Sequence, residues 1–253
     1  MRRIILSLFF LAMVGWLFGQ NTKSYNAGNA KRVEIYLEQS ALTITAYAGS
    51  EILIETDNYQ PPPDRAKGLK PLYNTNTDNS GIGLSIEKST NGIVLRKASG
   101  QEIKYRMKVP AQTDLKISEE GWWGGDFKIA GMKGEIEITA NNSAIELLNV
   151  SGPIVANSTS SDITITMSDI NQNKPSAIST ISGFIDISLP PTTKANFEMK
   201  GITGEIYTDF TLEMDKKNNM KRIGGSEVKG KINGGGVNIS LNVISGDIFL
   251  RKL

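Results

Sequence analysis

The chain contains no histidine and no cysteine among its 253 residues. Without an imidazole or a thiol it has no histidine base, no cysteine nucleophile and no metal site that depends on either ligand. The same lack excludes disulfides and a lipid attached to an N-terminal cysteine. We therefore expect a protein that is not an enzyme, is not a lipoprotein, binds no cofactor or metal, and is held together by its apolar core.

Beyond its N-terminus the chain has few long apolar runs and no large excess of charge of either sign. Arg2 and Arg3 precede an apolar run from Ile4 to Phe18, followed by the small residue Gly19. This order predicts a signal peptide over residues 1–19, and the run is shorter than the roughly 20 residues of a membrane-spanning helix. A retained N-terminal anchor is the alternative. We expect export to the periplasm or cell surface, with no membrane span in the mature chain.

Removal of the signal peptide would leave 26 basic and 26 acidic residues, and therefore a formally neutral protein. Binding to nucleic acid and general attraction to anionic lipid both depend on a cationic excess. Neither nucleic acid nor a lipid surface is therefore an expected partner. The pattern predicts no oligomeric state.

A nine-residue repeat runs without insertion from Gly125 to Asp169. Each unit opens on Gly or Ser, its third position is large and apolar, and its apolar residues lie two apart, as in a strand with one buried face. The five units read GDFKIAGMK, GEIEITANN, SAIELLNVS, GPIVANSTS and SDITITMSD. They predict short strands separated by sharp corners, since Gly accepts positive φ and Ser bonds within turns.

A second period is visible at the corners, where "MKG" and "VSG" alternate with "NNS" and "TSS". It predicts a coil of two units, 18 residues, with two kinds of edge. One coil cannot bury its own apolar stripe, but coils stacked about 4.8 Å apart share a continuous core. We therefore predict an all-β, single-domain flattened β-solenoid, similar to a parallel β-helix, with an irregular β cap at its N-terminal end.

The C-terminal part carries the same strand signature less regularly, in GFIDISL, GEIYTDF, GGVNISL and SGDIFL. Two insertions predict loops at the edge of the stack. One holds Pro190 and Pro191, and the other is a basic loop over residues 213–226. The second contains Lys216, Lys217, Lys221 and Arg222. We interpret it as a solvated loop rather than a binding patch.

The N-terminal half alternates as strands do, but without a fixed period, at residues 33–37, 42–45, 52–55, 93–95 and 105–109. A proline-rich segment from Asp57 to Ser80 is longer than the usual loop of a compact domain. We interpret it as a cover over the open strand edge at one end of the stack, with a functional surface as the alternative. The predicted divisions are a signal peptide (1–19), a linker (20–30) and one domain (31–253) with the regular repeat at 125–169.

The order of these segments resembles a known family. The stretches VEIYLEQSALTITAYAGSEILIE, RAKGLKPL, DNSGIGLSI, YRMKVP and GEIEI, followed by IELLNVSGPIVANSTSSDITI, are similar to a bacterial family of exported β-strand-repeat domains of unknown function called "putative adhesin". The resemblance covers about residues 31–253. It implies a β-repeat fold, an envelope of the Bacteroidetes type and a role in adhesion, and it transfers no site residue.

Acidic residues recur beside the strands, at Asp126, Glu135, Glu137, Glu146, Asp162, Asp186, Glu205, Asp209 and Asp247. Rows of this kind hold calcium or cleave uronic-acid polymers in some parallel β-helices. Here they alternate with Ile and Leu that point inward, so we predict a solvated outer face. The Gly-Gly-x-Gly-x-Asp motif of calcium-binding nonapeptides is absent.

Two adjacent tryptophans between glycines, Trp122 and Trp123, stand where the regular repeat begins. Exposed indoles present flat faces to sugar rings, so both are candidate ligand-binding residues. The alternative is that one of them packs over the first coil. The nearby Asn141-Asn142-Ser143 corner and residues 157–161 would add hydrogen bonds to a glycan, although turn chemistry also explains them.

Three functions remain open on the sequence. The first is an exported, non-enzymatic envelope protein, an adhesin or binding scaffold whose partner is a glycan or an envelope protein. The second is an envelope-stress or signalling module that contacts proteins through a strand edge or the Asp57 to Ser80 segment. The third is a carbohydrate-active enzyme of the β-helix kind, which requires a cleft of clustered carboxylates. Recognition is expected at the tryptophan pair, the proline-rich segment or the basic loop.

Overall fold

The computed structural model describes residues 23–69, 71–72, 76–214 and 225–253. Over these ranges the chain is almost entirely strand, and the helical content is one 3-10 turn at Asp64–Ala66. The predicted signal peptide lies outside the described residues, and so do residues 215–224 of the predicted basic loop. The all-β prediction is confirmed.

Two ten-stranded sheets make up the fold. Sheet A contains, in spatial order, β1 (Lys23–Asn26), β4 (Leu53–Thr56), β7 (Ile103–Pro110), β3 (Ser40–Tyr47), β9 (Phe127–Ala130), β11 (Ile145–Val150), β13 (Ile163–Met167), β15 (Ile185–Leu189), β20 (Ile248–Lys252) and β17 (Ile206–Thr208). Sheet B contains β18 (Ser226–Ile232), β16 (Ala195–Thr203), β19 (Val237–Ser245), β14 (Ser176–Ser182), β12 (Ile154–Ser158), β10 (Ile136–Ala140), β8 (Asp114–Glu119), β2 (Arg32–Leu37), β6 (Gly92–Lys97) and β5 (Leu84–Ser89).

A strand of sheet B and the next strand of sheet A form one coil, and the coils stack in parallel. In the regular repeat, Ile145 pairs with Phe127 on one side and with Ile163 on the other. Across the stack, Ile136 pairs with Ile154. Both pairings join residues 18 apart, so the predicted coil length is confirmed.

The two edges of the stack differ, as the corner pattern predicted. Residues 141–144 and 159–162 run from sheet B to sheet A, and we call this side the B-to-A edge. Residues 131–135 and 151–153 return from sheet A to sheet B on the opposite side, the A-to-B edge. The "NNS" and "TSS" corners therefore share one edge, and the "MKG" and "VSG" corners share the other.

The order of the coils differs from chain order at both ends of the stack. The coil β2/β3 lies between β6/β7 and β8/β9, although it comes first in the chain. The coil β19/β20 lies between β14/β15 and β16/β17, although it comes last. The N-terminal half thus contributes two full coils to the same stack, and the irregular cap is smaller than the sequence predicted.

The core is a single apolar cluster between the sheets. Alternate residues of each strand point inward, as in β7, where every second residue is buried. Ile138, Leu147 and Ile165 are completely buried, and the cluster continues from Ala27 to Leu250. Burial of these side chains contributes about 25 cal/mol for each Å² of apolar surface removed from water.

The N-terminal end of the stack is covered by strands β1, β4 and β5, which lie outside the proline-rich segment that was predicted to cover it. Strands β4 and β5 pair antiparallel with β7 and β6, and β1 pairs with β4. Tyr59 and Ile82 are buried in the core, and Asp78 accepts hydrogen bonds from the Tyr59 hydroxyl (2.6 Å) and the Gly83 N–H (2.9 Å). Because β1 begins at Lys23 and pairs with β4, the predicted linker over residues 20–30 is part of the domain from that residue on.

The C-terminal end is covered mainly on the side of sheet B. Strand β18 pairs antiparallel with β16, and Glu213 forms a two-bond bridge to Lys231 on the far side of β18 (2.8 and 2.9 Å). Phe210 is buried against the core. The short β17 is the last strand of sheet A at this end.

Candidate functional site

The candidate site is the Trp corner, residues Gly121–Gly125, in the turn between β8 and β9 on the B-to-A edge. Trp122 and Trp123 keep 69% and 75% of their surface exposed. Neither residue packs over the first coil, so the packing interpretation of the sequence is wrong. The two largest side chains of this edge are therefore presented to solvent.

Neighbouring coils on both sides hold the backbone of the Trp corner. On one side, the N–H of Gln39 donates to the carbonyl of Trp123 (2.6 Å). On the other, the side-chain amide of Asn141 donates to the carbonyl of Gly121 (2.6 Å), and that of Asn142 to the carbonyl of Trp122 (2.7 Å). The two asparagines, considered above as glycan contacts, instead position the tryptophans.

Beneath the corner lies the buried carboxylate of Glu119, which is only 5% exposed. Its Oε2 accepts the backbone N–H groups of Asn141 (2.6 Å), Asn142 (3.0 Å) and Ser143 (3.1 Å). Three successive N–H groups form a concave anion site, which the carboxylate of the chain itself fills. Sequence reasoning missed Glu119, although an acidic residue at an inward position of β8 was a usable signal.

The glycines after the tryptophans are required by space. A Cβ at Gly124 would lie 1.9 Å from Oε1 of Glu119 and 2.2 Å from Oγ of Ser143. A Cβ at Gly125 would lie 2.5 Å from the backbone nitrogen of Ala41 in the next coil. The flanking glycines therefore leave room for groups that approach closely from the same corner and from neighbouring coils.

The charged groups around the Trp corner are mainly acidic. Oε2 of Glu38 lies 3.8 Å from the position that a Cβ would take at Gly121. Glu120, exposed beside the tryptophans, lies 4.0 Å from the guanidinium of Arg96, and that guanidinium also covers the ring of Tyr36 at 4.2 Å. The surface beside the indoles thus carries carboxylates.

A buried lysine ties the corner at residues 38–40, which neighbours the Trp corner, to the corner at residues 98–102 in the coil beyond it. Lys97 is 3% exposed, and its Nζ donates to the carbonyls of Gln101 (2.6 Å) and Glu38 (3.1 Å) and to Oγ of Ser40 (2.7 Å). Burial lowers the pKa of Lys97 to about 8, against the opposing attraction of Glu38 and Glu102. These contacts serve the fold, since they all lie between neighbouring coils.

We expect the stability of the protein to rise between about pH 8 and 10.5 because of Lys97. Since the pKa of Lys97 is about 8 in the folded protein and its ordinary value is 10.5, the unfolded chain binds more protons in this window. The full gain is about 3 kcal/mol, from a shift of roughly 1.4 kcal/mol per pKa unit. Urea unfolding of the wild type and Lys97→Met across this range measures it.

The difference between these two proteins isolates Lys97, because the tyrosines that titrate at high pH are common to both. Lys104→Met, which changes an exposed lysine, serves as the control and should follow the wild-type profile. Parallel pH profiles of Lys97→Met and the wild type would contradict the assignment.

The prediction of outer faces is confirmed for three of the recurring acidic residues and wrong for the others, and many of them have structural contacts. Glu137, Glu146 and Asp186 lie on strands and point outward, whereas Asp126, Glu135, Asp162, Glu205 and Asp247 lie in the corners and Asp209 follows β17. Glu135 pairs with Lys174 (2.8 Å), and Asp186 with Arg251 (2.9 Å). Asp162 accepts the backbone N–H of Phe184 (3.0 Å). These acids are spread over both sheets, whereas the carbohydrate-active enzyme hypothesis requires a cleft that clusters them. In the described part of the chain, no three acidic side chains are grouped so that they could hold a metal ion.

Three isoleucines form a second exposed feature, which the sequence reading missed. Ile181, Ile244 and Ile202 lie in register on β14, β19 and β16, and are 50%, 47% and 57% exposed. We call them the isoleucine row. Each of these isoleucines comes directly before a Ser-Gly or Thr-Gly corner. Each is also out of phase with the buried residues of its strand, and this phase could have predicted its exposure from the sequence.

The proline-rich segment and the basic loop, the other two places where recognition was expected, add no described residue to the candidate site. The proline-rich segment buries Tyr59 at the end of the stack, and most of its described residues are exposed, Leu69 and Leu72 among them. The four basic residues of the predicted basic loop lie outside the described residues. In the described ranges, no helix is long and apolar enough to cross a membrane.

Solved structures are similar to this chain in structure, and a known family is similar to it in sequence. Two solved structures are similar over 92% of the chain: a "putative cell adhesion protein" from Clostridium sporogenes ATCC 15579 (TM-score 0.45, 11% identity, 100% of that chain) and a "putative adhesin" from Bacteroides fragilis NCTC 9343 (TM-score 0.36, 12% identity, 96% of that chain). No curated protein matches the sequence. Residues 74–251 match a family of domains of unknown function, which confirms the resemblance seen in the sequence. The chain therefore belongs to the Toastrack DUF4097 family.

Proposed function

We propose that the protein is an exported, non-enzymatic binding scaffold of the cell envelope, an adhesin that recognises a glycan through Trp122 and Trp123. The observation that carries this proposal is the exposure of two adjacent indoles on a backbone held from both sides. Indole faces stack on the apolar faces of sugar rings. A corner that is already ordered loses little conformational entropy on binding.

Export is supported by the N-terminal residues. Arg2 and Arg3, the apolar run from Ile4 to Phe18 and the small Gly19 have the order of a signal peptide. An adhesin must be reachable from outside the cell, so the proposal places the mature domain at the cell surface. Protease accessibility on intact producing cells tests this placement.

The double substitution Trp122→Ala/Trp123→Ala should abolish glycan binding, with at least a tenfold loss of affinity, while the fold is kept. Exposed side chains away from special features contribute within about 0.5 kcal/mol to stability. A glycan array followed by titration of the best ligand measures the loss. Tyr207→Ala removes another exposed aromatic side chain, at the far end of the stack, and should bind as the wild type does.

The proposal fails if the wild type and the double variant behave alike on the array and on cells. Equal loss with Tyr207→Ala would also contradict it, because binding would then depend on exposed aromatic surface in general. Thermal unfolding of all three proteins establishes that differences in binding are not differences in folding.

A second candidate is a protein-interaction module of the envelope, favoured by the isoleucine row. The row lies on sheet B, and beyond the B-to-A edge, on sheet A, the exposed Tyr207 stacks on Phe249 at 5.3 Å. Exposed apolar side chains in register on neighbouring strands are of the kind that marks protein contacts. In a pull-down from envelope extract, loss of one specific membrane protein with Ile244→Asp, but not with the tryptophan variant, would favour this candidate.

A further inference from the structure

The charge of the B-to-A edge is of one sign along the whole stack. The eight corners of this edge are residues 38–39, 98–102, 120–126, 141–144, 159–162, 183–184, 204–205 and 246–247, all within the described ranges. Their charged residues are Glu38, Glu102, Glu120, Asp126, Asp162, Glu205 and Asp247. The corners themselves contain no lysine and no arginine.

The opposite edge does not share this bias. The A-to-B corners at residues 131–135, 168–175 and 190–194 contain Lys133, Lys174 and Lys194 beside Glu135 and Asp169. The formal charge of the chain is +2, so the acidity of the B-to-A edge is a local property. A row of like charge on one edge raises the local concentration of ligands of the opposite charge.

The basic groups near the Trp corner have partners of their own. Lys97 is buried and bonds to the backbone and side chains of two corners. Arg96 covers the face of Tyr36 at 4.2 Å and lies 4.0 Å from Glu120, whose side chain stays 50% exposed. Lys128, exposed two residues after Asp126, pairs with Glu146 at 3.1 Å. Glu38 is exposed on the corner next to the Trp corner, and Asp126 is exposed where the Trp corner ends.

Two polar atoms lie buried beneath the corner. Oε1 of Glu119 and Oγ of Ser143 have no hydrogen-bond partner among the described residues, and both lie beside Gly124. Their side chains are more than nine-tenths buried. The indole faces themselves attract cations through their quadrupoles.

We infer that the ligand of the Trp corner is an amino-sugar oligosaccharide with free, protonated amines. This inference rests on the proposed glycan recognition and names its substrate class. The apolar sugar faces stack on Trp122 and Trp123, while the ammonium groups lie against the indoles and the carboxylates of Glu38 and Glu120. An acidic polysaccharide meets repulsion from the same carboxylates and is rejected.

Three hexamers of equal length test the inference by isothermal titration: glucosamine, N-acetylglucosamine and galacturonic acid. We expect the glucosamine hexamer to bind about tenfold more tightly than the N-acetylated hexamer at low salt, and the uronic-acid hexamer not to bind. Because exposed charges are screened, the tenfold preference should shrink strongly near 1 M salt, where the Debye length is about 3 Å.

The double variant Glu38→Gln/Glu120→Gln should remove most of the preference for free amines, so that the ratio of the affinities for the glucosamine and N-acetylated hexamers falls from about tenfold towards one. Glu135→Gln/Asp169→Asn, on the A-to-B edge, is the matched control and should keep the preference. Tryptophan-dependent binding without a preference for amines would overturn the inference and leave the proposed function standing.

Two other outcomes are also decisive. Glucosamine binding that is unaffected by Trp122→Ala/Trp123→Ala would be attraction between a polyanion and a polycation only, and would overturn the inference. If none of the hexamers binds and the glycan array is also empty, the proposed function itself fails.

Discussion

Gly246→Ala should destabilise the protein by about 4 kcal/mol, as the sum of steric overlap and backbone strain. A Cβ at this position would lie 2.0 Å from the carbonyl oxygen of Gly183 in the next coil. The φ of Gly246 is +139°, a conformation that side-chain-bearing residues rarely adopt. Urea unfolding of the purified variant measures the loss.

Gly234→Ala is the matched control, because it separates strain from overlap. Its φ is also positive, at +83°, but nothing lies within 4 Å of the added Cβ. We expect a loss of about 1 kcal/mol there, from strain alone. Equal losses for the two variants would contradict the close contact between Gly246 and Gly183.

Gly246 lies against Gly183 because β19/β20 is inserted next to β14/β15, and Gly204 in turn lies against Gly246. In a stack built in chain order, Gly204 would face Gly183 and Gly246 would face Gly204, so Gly246→Ala would overlap a neighbouring coil in either order. A severe loss at Gly246 therefore supports the close contact between coils, and the insertion follows from the strand pairings.

The coil itself was predictable from sequence because its register is carried by side chains. Phe127, Ile145 and Ile163 recur every 18 residues and pair directly in sheet A. A shift of one residue would turn these apolar side chains to the outside, so the pattern permits one register only. The corner residues alternate with the same period and therefore separated the two edges as well.

The order of coils at the ends was not predictable in this way. A strand such as β2, with alternate residues buried, presents the same apolar face whichever parallel strand lies beside it. Strand β2 pairs with β6 and β8 through backbone hydrogen bonds between residues far apart in the sequence. No pattern of side chains indicates which strands pair in this way. Strands β14, β16 and β18 were not predicted from the sequence, because their residue patterns differ from the regular repeat.

The Trp corner was found from composition, but the spatial role of its glycines was not predictable. Gly124 and Gly125 leave room for groups from neighbouring residues and coils. Such contacts involve residues far away in sequence, as with Ala41 beside Gly125. Exposure of both indoles follows from this tight backbone, which leaves their side chains no place in the core.

Glu119→Ala should destabilise the protein by about 4 kcal/mol and weaken glycan binding at the same time. The substitution leaves three N–H donors, those of Asn141, Asn142 and Ser143, without their acceptor, and a buried donor without a partner costs about 1–3 kcal/mol. The corner that carries Asn141 and Asn142 then loses the position from which both amides hold the tryptophan backbone. Urea unfolding measures the first effect, and titration with the best glycan measures the second.

Glu120→Ala provides the control, because it removes an exposed carboxylate from the adjacent residue. Its loss of stability should stay within about 0.5 kcal/mol. Binding of an uncharged glycan to Glu120→Ala should be unchanged, since Glu120 does not hold the corner. If Glu119→Ala lost stability but bound the glycan with wild-type affinity, the asparagine contacts would not position the tryptophans for binding. If it kept its stability, the carboxylate would not be the acceptor that orders the corner at residues 141–143.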